Sequence, residues 1–189
     1  TSFFYLAPWI LIFLIPAITM KTFADEFRSG TIEILKTRPI TNITLVLGKF
    51  FAILTLLIIV LIPTFVYAYS IHELGNPVGN LDYGSISGSY LGLFLLASSF
   101  ASIGIFTSTL SKNQVVAFLL GICMVFLFYY GFDAVSSLFG DYSYTIKLFG
   151  MNEHYKSISR GVIDSRDVLY FMSIIIFFLF VSKQKLTNE

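Results

Sequence analysis

Five stretches of this chain are long and apolar enough to cross a lipid bilayer, and this constrains the fold more than any other feature. A helix needs about 20 mostly apolar residues to traverse the hydrocarbon core. The stretches run from about 3 to 20, 50 to 71, 89 to 110, 115 to 132 and 168 to 182, the last completed by its flanking residues. Inside lipid every backbone N–H and C=O must find a partner within the protein, so a crossing segment is a helix or a strand of a closed barrel. These stretches are too long and too uniformly apolar for barrel strands, whose outward and inward residues alternate. The expected fold is an all-α, polytopic transmembrane helix bundle, a single domain over residues 1–189.

Composition closes off the other classes. Of 189 residues 56% are hydrophobic and only 12% charged, about half the ~25% charge of a soluble domain. The lone Cys123 cannot form a disulfide within the chain, and this composition is the opposite of a disordered one. A net charge of +1 gives no footprint for nucleic acid as a partner.

The span count is checked by the aromatic residues. With five spans, all eleven tyrosines fall on one side of the membrane, at the starts of spans one, three and five, the ends of spans two and four, and the loop at 133–167. Tyrosine prefers the headgroup region. Direction comes from lysine and arginine: five at 21–49, one at 111–114 and two at 183–189, against none at 72–88 and four at 133–167. The richer side is cytoplasmic by the positive-inside rule, so the chain is expected to start outside and end in the cytoplasm. A chain that begins outside and without Met is expected to lack something upstream, a span or a cleaved signal; the apolar start at Phe3 has no basic region before it and is not itself a signal peptide.

The polar stretch at 21–49 is the most informative. Over 22–36, Phe23, Phe27, Thr31, Ile34 and Leu35 recur at helical spacing while Asp25, Glu26, Arg28, Glu33 and Lys36 take the other face. This predicts a short amphipathic helix along the cytoplasmic surface. Gly30 in its middle costs about 1 kcal/mol relative to alanine, so a kink or close packing is implied. Pro39 stops the helix, and Thr41 is placed to cap the next one. Read without further context, the segment is an interfacial tether between two spans.

The same residues resemble a known signature. Phe23-Ala24-Asp25-Glu26, Gly30-Thr31-Ile32-Glu33-Ile34-Leu35, Thr37-Arg38-Pro39-Ile40 and Leu47-Gly48-Lys49 resemble the cytoplasmic segment of ABC-2 type permeases, in which an acid, a Gly-Thr-x-Glu core, a Pro and a Gly-Lys precede the next span. Ser111-Lys112-Asn113-Gln114-Val115-Val116-Ala117 is similar to that family's second cytoplasmic connection, and the run from Ser157 to Phe171 to its entry into the last span. Within the family the likeness is to gliding-motility permease subunits, and it covers about residues 3–182. The family fold has six spans, so the first is expected before Thr1.

The resemblance implies a half-transporter. Two permease subunits, alike or different, would sit on two ATP-binding cassette subunits that hold ATP and Mg, and this chain would bind no cofactor itself. The helix at 22–36 would act as a coupling helix, with Glu26, Arg28, Gly30, Thr31, Glu33 and Lys112 meeting the ATPase. Residues 133–167 would form short re-entrant helices on the outer side.

Other motifs are weighed on their chemistry. Gly48-Lys49 is no P-loop, because Ile43 and Phe50 stand where glycine and Ser or Thr are required. Gly84, Gly88 and Gly92, followed by Ala97, Ala101, Gly104 and Ser108, recur at a spacing that lets helices approach closely, either within one subunit or at a dimer interface. Pro16 and Pro63 would kink their spans. Asp133 is expected at the membrane interface beside Tyr129 and Tyr130 rather than buried in lipid. His72 and His154 are far apart with no ligand spacing, so no metal site is expected. Gly84-Ser85-Ile86-Ser87-Gly88 has Ile where a nucleophile-elbow serine would stand, and no catalytic residue is expected on this chain.

The function expected is the membrane permease subunit of an ATP-driven exporter, moving a substrate or driving gliding-motility machinery. The alternative is a non-transporting scaffold that transmits force or recruits a partner. The almost uncharged spans favour lipid-linked, polymeric or hydrophobic cargo, or none.

Overall fold

A computed structural model describes residues 2–37, 39–74, 83–139, 142–161 and 163–188. Their helices in chain order are α1 (Ser2–Thr19), α2 (Lys21–Ser29), α3 (Thr31–Lys36), α4 (Asn42–Leu74), α5 (Tyr83–Ser108), α6 (Gln114–Phe126), a π-helical segment (Leu127–Gly131), α7 (Phe132–Ser136), α8 (Ser143–Lys147), α9 (Met151–Ser159) and α10 (Ser165–Asn188). Among the described residues there is no strand, and five stretches are long and apolar enough to cross a membrane: Phe3–Ser29, Asn42–Val66, Gly84–Ser108, Gln114–Ser136 and Ser165–Asn188. The fold is the all-α polytopic bundle that the sequence predicts.

Several helices overrun the expected bounds because polar residues join them. Thr41 caps α4 as expected, its Oγ1 accepting from the Thr44 N–H at 3.4 Å, so the helix starts at Asn42, ahead of the apolar stretch that begins near 50. The loop expected over 72–88 is cut back at both ends by α4 and α5; its remainder, 75–82, lies outside the described residues. The short fifth span is completed by polar turns on either side, giving α10 24 residues.

α5 is the centre of the bundle. Of its membrane-crossing stretch 78% is buried, against 22–39% for the other four. It packs against α1, α4, α6, α9 and α10. Its sequence explains this: the row of Gly, Ala and Ser keeps it thin, and in its middle the serine hydroxyls are spent within the helix. Ser98 Oγ donates to the Phe94 carbonyl at 2.7 Å, Ser99 to Leu95 at 3.0 Å and Ser102 to Ser99 at 2.8 Å, so these three demand no polar neighbour. A side chain on Gly104 would strike Thr19 of α1, and one on Gly121 of α6 would lie 3.0 Å from the Pro16 ring. Pro16 thus serves as a packing surface for α6.

The segment after α1 departs from expectation. Met20 keeps right-handed helical angles (φ −55°, ψ −32°), and its N–H donates to the Pro16 carbonyl at 2.9 Å. α1 therefore runs on into α2 without a loop. The combined 27 residues, at about 1.5 Å each, exceed the ~30 Å hydrocarbon core, so α2 projects from the end of the first span. The break falls at Gly30, whose φ of +72° is left-handed and closes α2.

Candidate functional site

Two clusters of polar side chains lie at opposite ends of the bundle. At the end where α2, α3, the turn at 111–114 and the end of α10 gather, Lys49 of α4 binds α2. Its Nζ lies 2.5 Å from Glu26 Oε1, donates also to the Thr22 carbonyl, and sits 4.1 Å from the centre of the Phe23 ring. Beside it Gln114 of α6 donates to Asp25 Oδ1. Two adjacent acids on α2 thus bind α4 and α6 separately, fixing α2 to the bundle. The Gly-Lys and Ser-Lys-Asn-Gln motifs already contain both partners; adjacent acids facing two short polar connections were the signal for the pairing.

This changes the assignment of the candidate residues. Glu26 is directed inward, with 22% of its side chain exposed and its Oε2 buried without a donor, so it is not a free charge. Arg28, Gly30, Thr31, Glu33 and Lys112 are exposed. The apolar face also needs correcting. Read as one helix through Gly30, the spacing puts Ile34 with Phe23 and Phe27; the left-handed Gly30 re-aims α3, so Ile32 is 9% exposed and Ile34 63%. Ser29 and Thr31 hydroxyls pair at 2.9 Å across the bend. The outcome is a bent elbow with a fixed inner arm, α2, and an outer arm, α3, that offers Glu33 and Ile34.

A prediction follows for the fixed arm. Lys49→Met leaves Glu26 and the Thr22 carbonyl without their donor, which costs about 1–3 kcal/mol for a buried polar group. Lowered melting of the purified protein in detergent is the expected result, with Glu26→Gln/Lys49→Met milder than the two single changes summed. Additive losses would show that the pair contributes nothing.

At the opposite, aromatic end, the described residues of 133–167 pack back onto the spans. α9 buries Met151, Asn152, Tyr155 and Ile158. Tyr155 donates to the Phe4 carbonyl at 2.7 Å, and burial pushes its phenol pKa up, keeping the donor protonated. The glycine row meets this segment: a Cβ on Gly88 would lie 2.5 Å from the Ile158 carbonyl oxygen, and one on Gly92 3.3 Å from the Ile158 side chain. Gly161, at φ +87°, in turn sits within 2.9 Å of the Gly84 backbone on the same measure. Ser85 and Ser89 both donate to the Ser159 carbonyl, at 3.1 and 3.2 Å. The face carrying Gly84, Gly88 and Gly92 is occupied by this chain's own 158–161 turn.

His154 is held between acceptors: Nδ1 is 2.6 Å from Asp167 Oδ1 and Nε2 2.9 Å from the Leu148 carbonyl, with the ring stacked on Tyr170 at 3.9 Å. It joins α9 to α10. Asp133 accepts from Asn152 Nδ2. Among the described residues no three His, Cys, Asp or Glu side chains converge.

The comparisons agree with this architecture. No curated protein matches the chain. The family model described as ABC-2 family transporter protein matches residues 3–159, which takes in the elbow, α5, the 111–114 turn and α9. The chain belongs to the ABC-2 transporter family and is a multi-pass membrane permease subunit.

Proposed function

We propose that this permease subunit couples ATP hydrolysis, performed by a separate ATP-binding cassette subunit carrying ATP and Mg, to movement within the membrane. The observation that carries the reading is the elbow: in a chain of the ABC-2 transporter family, Arg28, Glu33 and Lys112 stand exposed beside an arm that is braced against α4 and α6. A push on α3 crosses the bend at Gly30 into α2, which is braced against α4 and α6 and runs on into α1 through the helical Met20. The elbow end faces the cytoplasm of a bacterial inner membrane, as does the C-terminus, and a second permease subunit completes the pathway. No catalytic residue is assigned to this chain. The movement serves export or, following the likeness noted above, a gliding-motility machine.

The packed centre supports a second reading. The middle of α5 is filled by small side chains, with the Ser98, Ser99 and Ser102 hydroxyls bonded within the helix, which suits a force-transmitting scaffold as well as half of a pathway formed between subunits. Liposomes holding the permease and its ATPase separate the two. ATP-dependent substrate movement supports the exporter; hydrolysis with no movement supports the scaffold.

Orientation has its own test. In a Cys123→Ser background, cysteine at Tyr144, 74% exposed, is expected to react with an impermeant thiol reagent in intact cells, and cysteine at Ser29 only after lysis. The reverse pattern removes the coupling assignment.

A further inference from the structure

At the aromatic end a cavity of about 300 Å³ lies between the start of α1, the π-helical segment, α7 and α9, and is lined by Trp9, Tyr129, Tyr130, Asp133, Lys147 and Lys156 among others. Its rings form a corner: Trp9 meets Tyr129 edge-to-face with centroids 6.0 Å apart and Tyr130 tilted at 5.8 Å. Adjacent residues of an α-helix point in different directions, and the π-helical turn at Leu127–Gly131 is what lets two consecutive tyrosines address one indole.

The charges are arranged with opposite signs. Asp133 has one oxygen held by Asn152, while Oδ1 is buried and has no donor. Lys156 is only loosely paired with Glu153, at 3.4 Å. Aromatic faces beside a carboxylate attract a cationic group, and lysines accept a phosphate. The unsatisfied oxygen selects the kind of cation. A primary ammonium brings three N–H donors, whereas a trimethylammonium brings none. Asp133 lines the cavity, so its carboxylate stands in the wall that an ammonium would meet. Trp and Tyr gather at the headgroup level of a bilayer.

We propose that this cavity binds a primary ammonium joined to a phosphate, supplied by the ethanolamine headgroup of a membrane phospholipid. The proposal is independent of ATP coupling, since its test requires no partner subunit.

Trp9 is the only tryptophan of the chain, so its emission reports on the cavity directly. The protein is placed in nanodiscs of phosphatidylglycerol containing rising fractions of phosphatidylethanolamine or phosphatidylcholine. A saturating change with the ethanolamine lipid is expected, at a half-saturating fraction at least fivefold below that for the choline lipid. Asp133→Asn and Tyr130→Leu are each expected to raise it about tenfold with melting temperature unchanged; Tyr130 is 40% exposed, so its variant stands if Asp133→Asn proves unstable. Equal responses to both lipids, a response that never saturates, or wild-type behaviour of Tyr130→Leu would overturn the proposal. So would saturation by soluble phosphoethanolamine that leaves no further response to the lipid, because the ligand would then be a free amine.

Discussion

Gly161→Ala is expected to release α9 from α5 and lower the stability of the purified protein by roughly 2–5 kcal/mol, the sum of two costs. A left-handed conformation costs an L-residue about 1–2 kcal/mol, and Gly161 sits at φ +87°. Overpacking adds about 1–3 kcal/mol: the new methyl would lie 2.9 Å from both the Gly84 carbonyl carbon and the Ser85 nitrogen, and backbone cannot turn aside. Gly88→Ala carries the overpacking cost without a left-handed φ, its methyl meeting the Ile158 carbonyl oxygen at 2.5 Å, less the ~0.5–1 kcal/mol that alanine gains inside a helix. Gly48→Ala is the control, with nothing within 4 Å of the added carbon; a glycine inside a helix gains about 0.5–1 kcal/mol on becoming alanine. Melting in detergent together with protease cleavage within 133–167 would check the series. If all three variants melt alike, the α5–α9 contact is not what holds this end together.

These glycines show what the sequence could and could not reveal. A four-residue spacing of small residues predicts a thin helix face, and Gly88 and Gly92 form one. It does not name the occupant, because a helix of this chain and one of a second subunit would require the same gap; the occupant proved to be the turn at Ile158–Gly161. The spans were legible because lipid imposes length and polarity on each residue in turn. Thr41 was legible as a cap for the same local reason. Gly30 marked a break, but its direction rested on one dihedral angle, and with it went the choice between Ile32 and Ile34 as the buried residue. Glu26 and Lys49 are 23 positions apart, and their pairing depends on how α2 and α4 pack, which periodicity within either helix does not record.

Glu33→Lys is expected to separate the permease from its ATPase while leaving the permease itself intact. Glu33 is exposed on α3, beyond the bend at Gly30, and its side chain makes no hydrogen bond or ion pair among the described residues. Melting temperature and membrane insertion should therefore match wild type. If the elbow is where the ATP-binding subunit seats, removing one member of a buried, hydrogen-bonded interface charge pair costs about 2–5 kcal/mol, or between 30-fold and several-thousand-fold in affinity. Co-purification with the ATPase should fail, and a compensating base-to-acid exchange elsewhere in this chain should not restore it. Glu26→Lys is the informative contrast, since Glu26 faces Lys49 inside the bundle: it should lower melting first and lose the ATPase only as a consequence. A Glu33→Lys protein that melts normally and still holds a fully active ATPase would mean that α3 is an interfacial tether, and force would have to enter the bundle through Lys112 and the short turn beside it.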